Sequence, residues 1–180
     1  TDGADLFVLD WRQARIHHVS TKDGALRQSW DAPTLKPHGL ALGNDLFFVS
    51  DDQTGRIYAF NPKKNLVEYS FEAPGGRPTG LAFAKDVLFI LETRSRQIYK
   101  VIPADGTILN FFPLPERNCT HLAYDGKYLW TVDRLKDEFY MLDPDTGAVL
   151  NIVASPGPHP AGIAFINDKL WNVDFQTREI

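Results

Sequence analysis

The sequence has few of the residues that would favour a disulfide-rich, nucleic-acid-binding or membrane-spanning protein. Cys119 is the only cysteine among 180 residues, which excludes an internal disulfide. The formal net charge of −4 argues against a general nucleic-acid binder, which would present a basic face. No apolar run approaches the ~20 residues that span a bilayer. No long segment keeps a 3.6-residue period, so we expect almost no helix.

What the sequence does contain is a gapless repeat of 41 residues. One set of positions separated by this step is Gly39-Leu40-Ala41, Gly80-Leu81-Ala82, His121-Leu122-Ala123 and Gly162-Ile163-Ala164. Other sets are Phe7, Phe48, Phe89, Trp130 and Trp171, and Trp30, Phe71 and Phe112. Agreement at this many positions indicates one structural unit used several times.

Each unit divides into four short strands. In the second unit these are Gly39–Leu42, Leu46–Asp51, Arg56–Asn61 and Leu66–Glu72, with β-branched and aromatic residues in the last three. Gly or Asn closes each turn between the third and fourth strands, as a tight hairpin with a positive φ requires. Four strands in about 40 residues are typical of a β-propeller blade, and we expect the Phe48 and Phe71 series to pack between blades.

The repeat predicts an all-β propeller with about 4.4 blades, so the ring is partial or incomplete. We place a partial blade at residues 1–36, three complete blades at 37–77, 78–118 and 119–159, and a partial blade at 160–180. The last unit should stop where its third strand begins, at Ile180. The ring would need further blades, or a partner or second copy, to cover its exposed edges.

The motifs resemble two known kinds of propeller. The segments Pro37-His38-Gly39-Leu40-Ala41, residues 45–51, Gly55-Arg56-Ile57 and Asn61-Pro62 resemble blades of NHL-type and virginiamycin B lyase-like propellers. Residues 169–180 are similar to a blade of glutamine cyclotransferase-like propellers. The resemblance implies the fold over the whole chain and a choice of functions: lyase, lactonase, cyclase or binding module. It also implies that the propeller is one part of a multidomain protein.

An acidic residue recurs in every unit, at Asp10, Asp51, Glu92, Asp133 and Asp174. A residue present in every unit is better explained by the architecture than by a site. We expect these carboxylates to accept backbone N–H groups in the turn after the second strand. A ring of ligands for a divalent metal is the alternative, and we predict no cofactor.

Residues found in only one unit are the better functional candidates. The predicted ligand-binding set, on the face shared by the fourth-to-first and second-to-third strand loops, is Trp11, His38, Arg77, Arg94, His121, Arg134 and His159. Among these, His121 stands where the other units have glycine. Arginines suit carboxylate or phosphate contacts. We expect no carboxylate at this mouth. Catalysis, if present, would use His38 and His121 as acid and base. Cys119 has no orienting group that would make it a nucleophile.

These observations favour a non-catalytic binding or scaffold module that takes a small anionic ligand or a protein partner. A propeller enzyme of the lyase, lactonase or glutaminyl cyclotransferase type is the alternative, and a propeller completed by self-association is a third reading. The chain begins Thr-Asp-Gly rather than with Met. From this we expect a preceding targeting segment or more protein, and an extracellular or periplasmic location.

Overall fold

The protein consists of seventeen antiparallel β-strands in a computed structural model that describes residues 5–177 and 179–180. The strands are β1 (Asp5–Asp10), β2 (Arg15–Ser20), β3 (Leu26–Asp31), β4 (Pro37–Gly43), β5 (Leu46–Asp51), β6 (Arg56–Asn61), β7 (Leu66–Glu72), β8 (Pro78–Ala84), β9 (Val87–Glu92), β10 (Gln97–Val101), β11 (Ile108–Pro113), β12 (Cys119–Tyr124), β13 (Leu129–Asp133), β14 (Glu138–Leu142), β15 (Val149–Ala154), β16 (Pro160–Ile166) and β17 (Lys169–Asp174). Within this part of the chain there is no helix with the length and apolarity to cross a membrane.

The strands form five sheets, one for each unit of the repeat. Three sheets have four strands in simple meander order, β4 to β7, β8 to β11 and β12 to β15. The first sheet has three strands, β1 to β3, and the last has two, β16 and β17. Neighbouring sheets pack through their inner strands, in the order β1, β4, β8, β12 and β16. The predicted β-propeller with an incomplete blade at each end is therefore confirmed.

Small departures from the predicted elements occur at strand ends. The inner strand of the second unit begins at Pro37, two residues before the prediction, because Pro37 still pairs with Asp51 across a β-bulge. Ile180 was expected to open a third strand, but among the described residues the last sheet ends with β17. The four hairpin turns behave as predicted, with positive φ at Gly24, Asn65, Gly106 and Gly147.

The core lies between sheets rather than within them, and it joins each sheet to the next. Phe48 of β5 stacks on Phe83 of β8, with ring centroids 5.6 Å apart. Three outer strands, β3, β7 and β11, are joined to the following sheet in the same direction by one aromatic side chain each. Trp30 Nε1 donates a hydrogen bond to the Pro62 carbonyl of the next sheet at 3.1 Å. Phe71 and Phe112 lie against Gly106 and Gly147, the hairpin glycines of their following sheets. Packing between blades is thus confirmed for Phe48 and for Trp30, Phe71 and Phe112.

The inner strands approach so closely that two glycines are required. A Cβ placed on Gly80 would lie 2.9 Å from the Thr120 carbonyl oxygen and 2.9 Å from the Cα of His121. One on Gly39 would lie 2.9 Å from the Thr79 carbonyl oxygen. At Gly162, the same position in the last sheet, the nearest such atom is 3.8 Å away. The repeated glycine therefore has a packing role in two units but not in the last one.

Candidate functional site

The repeated acids hold the turn that follows each second strand. Each acid accepts hydrogen bonds from the backbone N–H groups of the residues two and three positions later. At Asp51, the Oδ1 atom lies 2.9 Å from the backbone nitrogens of both Gln53 and Thr54. The same pair of bonds occurs at the other four acids, Asp10, Glu92, Asp133 and Asp174. Asp51 also accepts a hydrogen bond from the hydroxyl group of Thr34, which lies in the loop before β4. The predicted structural role of this series is confirmed.

Replacing Asp51 with alanine should destabilise the protein by about 2 kcal/mol, because two N–H groups and a hydroxyl lose their acceptor. Burial acts to raise the pKa of Asp51, but hydrogen bonds from Thr34, Thr54 and Gln53 outweigh it and the pKa is lowered. The contribution is therefore complete above the unfolded-state pKa of about 4 and is lost as the pH falls through the lower folded-state value. Urea unfolding at several pH values measures this.

The matched control is Asp52→Ala, which removes the neighbouring carboxylate. Asp52 makes only an ion pair with the largely exposed Arg77, with Oδ2 and Nε 3.6 Å apart. Exposed pairs of this kind contribute less than about 1 kcal/mol. Equal losses of stability in the two variants would contradict the structural role of the acidic series.

A cavity of about 850 Å³ lies at the centre of the propeller, between the inner strands. Residues from the first sheet and the last sheet both line it, so all five sheets surround one space. Its volume falls within the range of small-molecule sites in proteins. This cavity is the candidate functional site.

Five of the seven predicted site residues line this cavity: Trp11, His38, Arg77, His121 and Arg134. Lys36 and Arg117 add two further cationic side chains. Asp52 is the one acidic residue among the described lining residues, and it is paired with Arg77. The expectation that no carboxylate lies at the mouth is therefore wrong, because the residue after the repeated Asp51 turns toward the cavity. Even so, cationic groups outnumber acidic ones at this mouth.

The other two predicted residues lie elsewhere. Arg94 is exposed and lines a neighbouring cleft that shares Asp52, Arg77 and Thr93 with the cavity. His159 is exposed, and its contacts are made by its backbone: the N–H donates to Asp137 Oδ1 at 2.9 Å, and the carbonyl accepts from Phe175 N–H at 3.1 Å. His159 has a φ of 60°, so it serves as a turn residue. Arg94 and His159 were predicted because they lie in loops on this face, and that criterion alone does not show which loop side chains reach the cavity.

His38 and His121, from the second and fourth sheets, meet across the third. Their rings are stacked, with centroids 5.8 Å apart and an interplanar angle of 24°. His38 Nδ1 lies 3.1 Å from the Thr79 carbonyl oxygen. Because a carbonyl only accepts, His38 carries its proton on Nδ1, and in the neutral ring Nε2 is a free acceptor. His121 Nδ1 lies 2.9 Å from Thr120 Oγ1.

His121 and Cys119, two side chains at the cavity with reactive groups, are held in their neutral forms. Burial, with smaller effects from the nearby His38 and Arg134, lowers the pKa of His121 to about 3. Burial raises the pKa of the Cys119 thiol to about 12, so this cysteine is un-ionised at neutral pH. A thiol without thiolate character is a poor nucleophile. An imidazole with so low a pKa is a weak proton acceptor, although it remains a good hydrogen-bonding group.

Sequence reasoning missed several lining residues that carry polar groups. Arg117, Asn118, Thr79, Trp171 and Asn172 all line the cavity. Thr79 Oγ1, Trp171 Nε1 and Asn172 Oδ1 are buried and have no hydrogen-bond partner among the residues described. For Trp171 the comparison of units offers a signal. In the preceding unit Trp130 donates a hydrogen bond to Asp125 Oδ2 at 2.7 Å, but the residue aligned with Asp125 in the last unit is Ile166, which has no acceptor in its side chain.

Within residues 5–177 and 179–180 no three side chains of His, Cys, Asp or Glu are grouped so that they could hold a metal ion. The repeated acids are directed to their own turns instead. The geometry of the cavity is therefore that of a concave, mostly apolar site with positive charge at its mouth.

Comparison with known proteins identifies the fold. No family model matches the chain, and no curated protein matches it. Among solved structures it is similar to the glutaminyl cyclase of Myxococcus xanthus, with a TM-score of 0.78 at 13% identity over 92% of this chain and 79% of that one. It is also similar to virginiamycin B lyase of Staphylococcus aureus, with a TM-score of 0.64 at 20% identity, and to a streptogramin B lyase, with 0.63 at 19%. The similarity extends over 93% and 96% of this chain, but over only 58% and 59% of the two lyases. The resemblance to both kinds of propeller is thus confirmed at the level of the fold.

Proposed function

We propose that this propeller is a non-catalytic binding module that takes a small anionic ligand at the mouth of its central cavity. The observation that carries the proposal is the charge of the lining. Lys36, Arg117 and Arg134 line the cavity and have no ion-pair partner among the described residues, while the single acidic group is engaged by Arg77. Unpaired guanidinium and ammonium groups beside a partly closed space favour a carboxylate or phosphate.

The neutral form of His121 supports binding over catalysis. General acid–base catalysis works best with a pKa near the operating pH, and the pKa of His121 is far below it. A neutral imidazole beside an arginine still donates or accepts one hydrogen bond without adding charge. His121 then helps to orient a ligand rather than to move a proton.

Binding can be tested with benzoate as the probe and benzamide as its neutral counterpart, by isothermal titration of the full chain. We expect benzoate to bind and benzamide to bind at least tenfold more weakly, since the amide lacks the charge. The Arg134→Gln variant should lower the benzoate affinity about tenfold, and raising the salt concentration should also weaken binding.

Arg94→Gln is the matched control, because Arg94 is an exposed arginine outside the cavity. It should leave the benzoate affinity unchanged. Equal weakening by both variants, or equal affinities for benzoate and benzamide, would contradict an anion site in the cavity.

An enzyme of the lyase, lactonase or glutaminyl cyclotransferase type is the second candidate. The stacked pair of His38 and His121 at the cavity is the observation that favours it. The two proposals differ in what happens to the ligand. A binding module returns its ligand unchanged, so mass spectrometry of a recovered ligand distinguishes them, and His121→Gly would abolish turnover only under the catalytic alternative.

A further inference from the structure

The lining of the cavity changes character from one end to the other, and this gradient limits the kind of ligand that fits. We propose that the ligand is an amphipathic carboxylate whose apolar body lies along the inner strands and whose charged group lies at the cationic mouth. This inference rests on the proposed function and adds the chemical class of the ligand to it.

The apolar end is formed by four equivalent residues of the repeat. Leu40, Leu81, Leu122 and Ile163, one from each of β4, β8, β12 and β16, form a leucine layer that lines the cavity. Leu81 and Leu122 are only 2% and 5% exposed, so most of the free surface of this layer belongs to the half-buried Leu40 and Ile163. Leu6 and Val8 of β1 extend the same surface on the first sheet. This surface carries no charged side chain, so it can receive a hydrocarbon body without burying a charge, and its polar groups are on the last sheet, at Trp171 and Asn172 of β17.

The cationic end lies where the inner strands begin, and the end of β13 reaches the same level because Asp133 pairs with Cys119 at the start of β12. Lys36 precedes β4 and Arg117 precedes β12, while Arg134 follows β13. Because consecutive residues of a strand advance by ~3.3 Å, the cationic groups and the leucine layer are set apart along the cavity axis. A single ligand must therefore present two different ends.

Thr79 lies at the boundary between these ends. It is only 4% exposed, its Oγ1 has no hydrogen-bond partner among the described residues, and it lines the cavity. The Thr79 carbonyl accepts a hydrogen bond from His38, so the side-chain hydroxyl is the polar group of Thr79 that still lacks a partner. A buried hydroxyl without a partner is costly, and a carboxylate oxygen at this level would accept its hydrogen bond.

Two simpler classes of ligand match the cavity less well. Inorganic phosphate would satisfy the mouth but would leave the partly exposed side chains of Leu40 and Ile163 facing water. A neutral hydrocarbon would cover the leucine layer but would bring the cationic groups no counter-charge. A molecule with both an apolar body and an anionic group such as a carboxylate uses both ends.

The test is a titration of the full chain with the series acetate, butanoate, hexanoate and octanoate, and with 1-octanol as the neutral counterpart of octanoate. We expect the affinity to rise up to about fourfold for each added methylene group. Octanoate should bind at least tenfold more tightly than 1-octanol. A flat series in which all the carboxylates bind equally would overturn this inference and leave the proposed function standing. Failure of every carboxylate, benzoate included, would overturn both.

Variants at the apolar end locate the effect. Leu40→Asn should flatten the rise in affinity with chain length, because a polar side chain replaces the apolar surface that the body of the ligand contacts. Leu35→Asn is the control, since Leu35 is 85% exposed and lies outside the cavity. If Leu40→Asn does not fold, Ile163→Thr at the equivalent position makes the same test. An unchanged rise in the folded variant would overturn the placement of the apolar body.

Discussion

Replacing Gly80 with alanine is expected to destabilise the propeller by about 3 kcal/mol, the upper part of the range for overpacking a close-packed core. The added methyl group would meet the backbone of Thr120 and His121 at 2.9 Å, and backbone atoms cannot rotate away as a side chain can. The two inner strands β8 and β12 would have to separate, which would loosen the contact between the third and fourth sheets. Urea unfolding followed by circular dichroism measures the loss.

Gly162→Ala provides the control for this prediction. It makes the same chemical change at the same position of the repeat, but the nearest side-chain atom is 3.8 Å away. We expect a change in stability of less than about 1 kcal/mol, because the contact is an ordinary one. Equal losses in the two variants would mean that the glycine acts through strand propensity rather than through the close approach of neighbouring sheets.

The stability of the folded protein should fall by about 2 kcal/mol between pH 7 and pH 5 through His121 alone. In the unfolded chain this histidine titrates near its ordinary pKa of 6.5, whereas in the folded protein the pKa is about 3. Between these values the unfolded state binds more protons than the folded state. The contribution is thus complete above pH 6.5 and is lost progressively as the pH falls toward 3.

His121→Gly isolates this effect, because glycine is the residue that Gly39, Gly80 and Gly162 show to be compatible with the position. The difference in free energy of unfolding between the native protein and the variant should shrink or reverse as the pH is lowered. His159→Gln, which removes an exposed imidazole, gives the reference curve for loss of a histidine. Parallel pH profiles of the free energy of unfolding in the native protein and the His121→Gly variant would contradict this prediction. They would mean that protonation of His121 does not destabilise the folded state.

The repeat predicts most of the fold because each unit must satisfy the same packing problem. The 41-residue spacing located every sheet, and a residue shared by all units, such as Asp51, was correctly assigned to structure. The second strands were placed almost to the residue, since their apolar runs are bounded by turn residues on both sides. The start of β4 was less well placed, because pairing across a β-bulge depends on the neighbouring strand rather than on local sequence.

The site was less predictable, for a physical reason. Which loop residues converge on the cavity depends on where each backbone turns, and Arg94 and Arg134, which occupy similar places after the repeated acid, end in different clefts. His121 was identified because it breaks the repeat. Thr79 was missed because its unpartnered hydroxyl can be recognised only once the surrounding groups are known.

The aromatic contacts between outer strands have a consequence for how such a protein can diversify. Trp30, Phe71 and Phe112 each reach forward to the turn between the third and fourth strands of the following unit, so three of the four junctions are made by one aromatic side chain in the same place. A duplicated or deleted unit would meet junctions of unchanged shape on both sides. Whole modules can therefore be gained or lost by recombination, while the loops around the axis vary independently and acquire new specificities.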